Sequence, residues 1–474
     1  MNETSEQQIT KSPVYILKKN RISTPELVNN NEDELNPNHA DHSDHTPNHT
    51  LSNDDGLGFD DNVLSKPMNS RLFSSASLPN FASAETELQD DGTSTSMTST
   101  SVVVDDHNPL FKGCRNVDYF EKVRMVDEGT YGVVFAAKNR KTGELVALKK
   151  VKLSKDSSNR DGFPITALRE TNVLLALQHP NIVSVREMVV GKRMDEVFMV
   201  MEYFENDLKH VLSLQRDRNR KAREEMLGSI GNKRDFDREP VFKIRQVKCF
   251  MLQLLSGMEF MHRCWYLHRD LKTANILYNS SGKLAICDFG LARKFGEPIK
   301  PYTTNIVTLY YRPPEILMGT KTYSTEVDMW SIGCIFAEIL TGHYFFEGIS
   351  ETDQLSKIFN IMGQPNNKDN LKWKDYDKLP YANMFKWKGL PRESKLRDKF
   401  PRATAASAFT DINESMTLSD LGFELLEGLL TLDPTLRLSA SDALKHAWFQ
   451  EEPLPLPRHL MPVYPPASEF SSSS

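Results

Sequence analysis

From Tyr119 onward the apolar and polar positions repeat with the periods of regular structure; before it they do not. Val123 to Asn139 reads as two strands joined by a turn at Gly129-Thr130-Tyr131-Gly132, and Leu145 to Leu153 alternates as a third strand. Asp161-Gly162-Phe163-Pro164 opens a helix, with proline at the first helical position, where the missing N–H costs nothing. On that helix Glu170, Val173, Leu174 and Leu177 fall at i, i+3, i+4 and i+7, so one acid shares the apolar face. Val197 to Tyr203 is a short apolar strand. Val247, Phe250, Met251, Leu254, Leu255, Met258 and Met261 trace the buried stripe of a long helix. Strands early and helices late predict an α+β fold in two lobes. A small β-rich lobe spans about 119–202 and carries one helix; a larger helical lobe spans about 203–449.

Composition adds an unpatterned head. The chain has 474 residues and a net charge of −6, and the first 110 hold 18 acidic and 6 basic residues among Ser, Thr, Asn and Asp. Such a segment buries too little apolar surface to offset its ordering entropy, so residues 1–113 are expected to be a disordered acidic tail, and 450–474 a C-terminal tail. His39, His42, His45 and His49 lie in that head, where no core fixes metal geometry, and read as a polar tract. Five cysteines show no metal-like spacing, which fits a reducing compartment, and no apolar run approaches membrane-spanning length. The N-terminus has no charged-then-apolar leader, so a soluble intracellular protein without direct nucleic-acid or membrane partners is expected. An insert at about 214–240 carries Arg216, Arg218, Arg220, Lys221 and Arg223; it reads as a solvated surface loop, or else as a nuclear-import or docking segment.

The chemistry-bearing residues follow in a fixed order. Asp127-Glu128-Gly129-Thr130-Tyr131-Gly132-Val133-Val134 occupies the first turn, where glycines let backbone approach phosphates. No G-x-x-x-x-G-K-[ST] occurs, which excludes a P-loop NTPase. Val146-Ala147-Leu148-Lys149 supplies a strand lysine for α- and β-phosphates, and Glu170 is placed to hold it by an ion pair. His268-Arg269-Asp270-Leu271-Lys272-Thr273-Ala274-Asn275 supplies a catalytic loop, and Asp288-Phe289-Gly290 begins thirteen residues after Asn275. Asp270 would reach a substrate hydroxyl. Asn275 and Asp288 would converge on Mg²⁺, which prefers hard oxygen ligands. Transfer of the γ-phosphoryl group of ATP needs this kind of positioning and charge neutralisation and little covalent help.

Over Tyr119 to Phe449 the sequence resembles the eukaryotic protein kinases. Phe163-Pro164-Ile165-Thr166-Ala167-Leu168-Arg169-Glu170 and Thr308-Leu309-Tyr310-Tyr311-Arg312-Pro313-Pro314-Glu315 are similar to the regulatory helix and the substrate-side segment of cyclin-dependent kinases. Asp328-Met329-Trp330-Ser331-Ile332-Gly333-Cys334 and Asp433-Pro434-Thr435-Leu436-Arg437 match two later landmarks. His179-Pro180-Asn181-Ile182-Val183, Val189-Val190-Gly191, Lys300-Pro301-Tyr302-Thr303 and the ending Trp448-Phe449-Gln450-Glu451-Glu452-Pro453 resemble the PITSLRE subgroup. Ala167 and Pro313 are spelled as in elongation-type transcriptional kinases, which stand as the second assignment. A pseudokinase scaffold, a third and different class, conflicts with intact Lys149, Glu170, Asp270, Asn275 and Asp288.

The resemblance implies a serine/threonine protein kinase that takes ATP and Mg²⁺, acts on Ser/Thr-Pro sites and needs a cyclin, of L-type in this subgroup. Adenine would lie against Val126, Val134, Ala147 and Leu277, with Met201 as gatekeeper, Glu202 and Phe204 offering backbone bonds and Asp207 near the ribose. Asp270, Lys149, Glu170, Lys272 and Asn275 would form the catalytic set. Asp328 would hold the catalytic-loop backbone, and Arg437 would pair with Glu315. A phosphate on Thr303 would gather Arg169, Arg269 and Arg293, whereas phosphates on Thr130 or Tyr131 would repel the nucleotide. The nucleus, with the cytoplasm as a second location, and roles in transcription, RNA processing or the cell cycle are the corresponding expectations.

Overall fold

A computed structural model describes residues 113–129, 132–151, 165–192, 196–227, 240–296, 307–365, 373–384, 387, 389–403 and 417–467. The acidic head with its histidines, the helix opening at Asp161–Pro164, residues 228–239 of the insert, and Thr130, Tyr131 and Thr303 lie outside the described residues.

The small lobe is a six-stranded sheet. Its strands are β1 (Arg115–Asn116), β2 (Phe120–Gly129), β3 (Gly132–Asn139), β4 (Leu145–Val151), β5 (Val185–Val190) and β6 (Val197–Glu202), in spatial order β1-β5-β6-β4-β3-β2. All neighbours are antiparallel except β1 and β5. The period of two sorts the side chains. Val146, Leu148, Phe198 and Val200 join Phe120, Ala137 and Val189 in a core on one face. Ala147, Val151, Met199 and Met201 face the other way and pack with Val173, Leu174 and Leu177 of α1 (Ile165–Ala176). Lys149 lies between Ala147 and Val151 in this alternation, which sends it to the side where α1 carries Glu170.

The larger lobe is built on two long helices. Every residue of the expected stripe on α3 (Ile244–Arg263) is fully buried. In α5 (Glu326–Thr341) all residues from Val327 to Leu340 are buried, and Gly342 ends it in the left-handed region at φ 76°. Short strands line the cleft side: β7 (Asn206–Asp207), β9 (Ile276–Tyr278) and β10 (Leu284–Ile286) form one sheet, β8 (Tyr266–Leu267) and β11 (Arg293–Lys294) another. Helices α4 (Pro314–Leu317) and α6 (Glu351–Met362) complete the substrate side. Among the described residues no helix is long and apolar enough to cross a membrane.

Two regions depart from expectation. Residues 214–227 are not a loop: they continue α2 (Leu208–Leu227), a run without glycine or proline and rich in good helix formers. Leu208, Val211 and Leu212 bury its first turns, and further on Arg216 donates to the Gly342 carbonyl (3.1 Å) and Asn219 to the Val241 carbonyl (3.0 Å). Residues 450–467 do not hang off as a tail. Lys248 donates to the Glu451 carbonyl at 2.6 Å, Tyr278 to the Pro462 carbonyl at 2.7 Å and Tyr464 to Gln215 at 2.7 Å, with Met461 and Tyr464 buried.

Candidate active site

The floor of the site is held from below. Asp328, at the start of α5, accepts the backbone N–H groups of His268 and Arg269, each at 2.9 Å, and lies 3.0 Å from His262 Nε2. Burial alone would raise its pKa, but His262 and these N–H groups outweigh burial and hold it below the ordinary value. So anchored, the loop turns through Arg269 at φ 66°, a region costly for a side-chain-bearing residue and tolerated where the surroundings over-determine it.

Asp270 follows that turn with both carboxylate oxygens engaged. Oδ1 accepts from the Thr308 N–H (3.1 Å) and hydroxyl (2.9 Å); Oδ2 accepts from Lys272 Nζ (2.8 Å) and Asn275 Nδ2 (3.1 Å). Asn275 Nδ2 also donates to the Asp270 carbonyl at 2.8 Å, which leaves the amide oxygen as its remaining polar atom. Asp288 has φ 64°, and its Oδ1 is buried without a hydrogen-bond partner among the described residues. A buried, unpartnered carboxylate oxygen fits a cation that the protein alone does not supply. Among the described residues no cluster of three His, Cys, Asp or Glu could hold a metal. Mg²⁺ is usually held by one or two protein oxygens plus substrate phosphates, so the donor set of Asn275 and Asp288 suits it.

Across the cleft, Lys149 Nζ donates to Glu170 Oε1 at 2.5 Å, so α1 is packed inward in the single chain. Burial would lower the lysine pKa, but the Glu170 and Asp288 carboxylates outweigh it and raise it above the ordinary value. Gly132 starts β3 at φ 153°, where an added Cβ would lie 2.3 Å from the Lys150 carbonyl oxygen; no other residue fits there without moving backbone. The β2 backbone pairs Asp127, Glu128 and Gly129 with Val134, Val133 and Gly132. The apolar lining is graded. Ala147, Met201 and Phe204 are buried, Val134 and Leu277 half-buried, and Val126 exposed. Glu202 commits its N–H to the Ser184 carbonyl (3.2 Å) and its carboxylate to Lys283 (2.7 Å), so a purine contact from Glu202 falls to its carbonyl. Burial raises the Asp207 pKa, against the opposing bond from the His210 N–H at 2.8 Å.

Of the expected phosphate cradle, Arg269 is buried and donates to the Leu291 carbonyl (2.8 Å) and the Tyr323 hydroxyl (3.1 Å), Arg293 is exposed on β11, and Arg169 lies on α1 beside Glu170. Arg437 makes the expected pair with Glu315, through Nη1 at 2.7 Å and Nη2 at 2.9 Å. Sequence reasoning assigned no role to Thr308, Tyr311, Thr273 or Glu338. Thr308 was legible in principle as a hydroxyl opening the segment that must face Asp270; Glu338 reads as one more residue of an apolar helix. Cys287 is a poor thiolate, since burial pushes its pKa up.

Residues 120–449 match the protein kinase domain family. Cyclin-dependent kinase G-2 of Oryza sativa subsp. japonica is 48% identical over 361 residues, 76% of this chain and 46% of its own length. Cyclin-dependent kinase 11B of Homo sapiens is 44% identical over 361 residues, 76% of this chain and 40% of its own length. The Rattus norvegicus protein of that name is 43% identical over 361 residues, covering 76% of this chain and 73% of the relative. The chain thus spans about half the length of the rice and human relatives.

Proposed function

The chain belongs to the protein kinase family, in its cyclin-dependent branch, and we propose that it transfers the γ-phosphate of ATP to serine or threonine of proteins while bound to a cyclin. The observation that carries this reading is the Asp270 carboxylate, fixed on both oxygens by Thr308, Lys272 and Asn275, together with an Asp288 Oδ1 that is buried and without a partner among the described residues. Asp270 orients the substrate hydroxyl and takes up its proton; Lys272 neutralises charge beside it. Lys149, held by Glu170, clamps the α- and β-phosphates. Asn275 and Asp288 would hold Mg²⁺, which would supply positive charge to offset that of the phosphates.

A preference for Ser/Thr-Pro sites has support in Val307. This residue is at φ 63°, and its carbonyl is consumed by Arg312, through Nε at 3.2 Å and Nη2 at 3.0 Å. A substrate residue docking there finds no acceptor for its N–H, and proline has none to lose. A Thr303 phosphate gathering Arg169, Arg269 and Arg293, an L-type cyclin and nuclear residence complete the proposal. The basic stretch on α2 is its import segment. Arg216 also bonds the Gly342 carbonyl, so neutralising Arg218, Arg220, Lys221 and Arg223 is the change that leaves that contact in place.

The test is transfer by the cyclin-bound chain to matched Ser-Pro and Ser-Ala peptides, with Asp288→Ala as control. We expect Ser-Pro to be favoured by about tenfold or more and Asp288→Ala to lose about 10²–10³-fold. Undiminished transfer by Asp288→Ala would refute the magnesium assignment, and equal use of both peptides the proline preference.

A further inference from the structure

Helix α5 grips the catalytic loop twice. The first grip is Asp328, on the N–H groups of residues 268 and 269. The second lies ten residues later, about 15 Å along the helix at 1.5 Å per residue. There Glu338 Oε1 accepts from the Thr273 hydroxyl at 3.0 Å, and Oε2 accepts from the Tyr311 hydroxyl at 2.6 Å. The Thr273 and Tyr311 hydroxyls are themselves 3.1 Å apart, closing a three-membered network. It is sealed from solvent: Thr273 is 0% exposed, Tyr311 3% and Glu338 4%. Ser331 ties α5 to the Tyr311 side of that network a second time, donating to the Tyr311 carbonyl at 3.0 Å.

Position gives the second grip its meaning. Asp270 and Lys272 lie between the two anchors, and Asn275 two residues beyond the second. The Lys272 and Asn275 bonds to Asp270 therefore exist only if the far half of the loop is held in place. Thr273 is the one side chain in 271–276 whose hydrogen bond crosses to α5. Tyr311, in turn, follows the segment whose Thr308 engages the other Asp270 oxygen. One buried carboxylate thus fixes both sides of the catalytic carboxylate.

We infer that Thr273 is a positioning residue for phosphoryl transfer: through Glu338 and Tyr311 it fixes the distal half of the catalytic loop, so that Lys272 and Asn275 meet Asp270. The inference rests on the kinase reading above for its kinetic consequence, and on geometry alone for its structural one.

Thr273→Val, nearly equal in shape, and Thr273→Ser, which restores the hydroxyl, separate the hydrogen bond from packing. In the full chain, amide exchange across residues 270–276 quickens by about tenfold in the valine variant, the worth of one buried hydrogen bond, and returns in the serine variant. Exchange in Ile244–Arg263 stays as in wild type. In the cyclin-bound chain kcat falls by a similar factor of about ten with the KM for ATP within about twofold, again rescued by serine. If the valine variant does not fold, Tyr311→Phe removes one hydroxyl and little volume and takes its place in the exchange measurement. Wild-type exchange at 270–276 in the hydroxyl-deleted variant, or failure of serine to rescue, overturns the inference. A wild-type chain that exchanges as expected yet transfers no phosphate would overturn the kinase reading instead.

Discussion

Lys149–Glu170 and Arg437–Glu315 are both buried cation–glutamate pairs, yet they are built for opposite ends. Arg437 is enclosed, with side-chain exposure of 0% against 2% for its partner. Its guanidinium meets both Glu315 oxygens, the Glu326 carbonyl at 2.6 Å and the Thr431 carbonyl at 3.0 Å, and lies 5.2 Å over the Trp330 ring. Among the described residues Lys149 makes one bond, to Glu170, and feels Asp288 at longer range. Taking two charges out of water is repaid only when the remaining donors and acceptors are met. The arginine fork meets them within one lobe. The ammonium keeps hydrogens for a ligand and joins a sheet to a helix, so its pair suits a contact that can be made and unmade.

Removing the acid from each pair sharpens the contrast. Glu315→Gln strands a guanidinium that cannot lose its proton, and should cost about 3–5 kcal/mol in urea unfolding. Glu170→Gln leaves a lysine that still faces Asp288 and can deprotonate, so its cost should stay below about 2 kcal/mol while transfer falls about 10²-fold. Equal stability losses would erase the distinction between staple and switch.

Legibility in the sequence divides along similar lines. Residues whose spacing carries chemistry were readable: Lys149 meets Glu170 and feels the Asp288 charge, Asn275 meets Asp270, and the alternation that turns Lys149 toward α1 is visible in Val146 to Val151. Residues whose role comes only from packing were not. Charge density made 214–227 read as a loop, although nothing there breaks a helix. The proline-rich 451–467 has no periodicity, and its contacts with α3, β9 and α2 depend on the single side chains of Lys248, Tyr278 and Tyr464. Thr273 and Glu338 meet across 65 residues of sequence, a distance no local pattern spans.

Glu338 extends the comparison to a buried carboxylate bonded by hydroxyls instead of a cation. Burial raises its pKa to about 7; the Tyr311 and Thr273 hydroxyls and Lys209 oppose this without cancelling it. Cys334, one turn earlier on the same helix, is buried too and neutral, its thiol pushed well up by burial. With a raised folded-state pKa, the neutral acid is accommodated fully below the unfolded value of 4.5, and stability is lost as pH rises toward 7. Glu338→Gln removes that titration. The stability of wild type relative to the variant should therefore fall by about 2 kcal/mol between pH 5 and pH 8, measured by urea unfolding. A pH-independent difference would mean that the hydroxyls hold Glu338 ionised throughout, as a cation would.

The smallest effect belongs to a pair left in water. Arg220 and Asp217 lie one turn apart on α2 at 3.0 Å, with side chains 56% and 53% exposed. Water and salt screen them, and ordering two long side chains offsets much of the attraction, so the pair should contribute under about 0.5 kcal/mol. Arg220→Gln keeps a good helix former at that position and removes only the charge. Its urea midpoint should lie close to that of wild type, in low salt as in high. This zero point anchors the comparison, because it holds ion-pair distance nearly constant while burial changes. A loss above about 1 kcal/mol, fading in high salt, would place the difference between the two buried pairs in charge alone, and not in how many donors burial leaves satisfied.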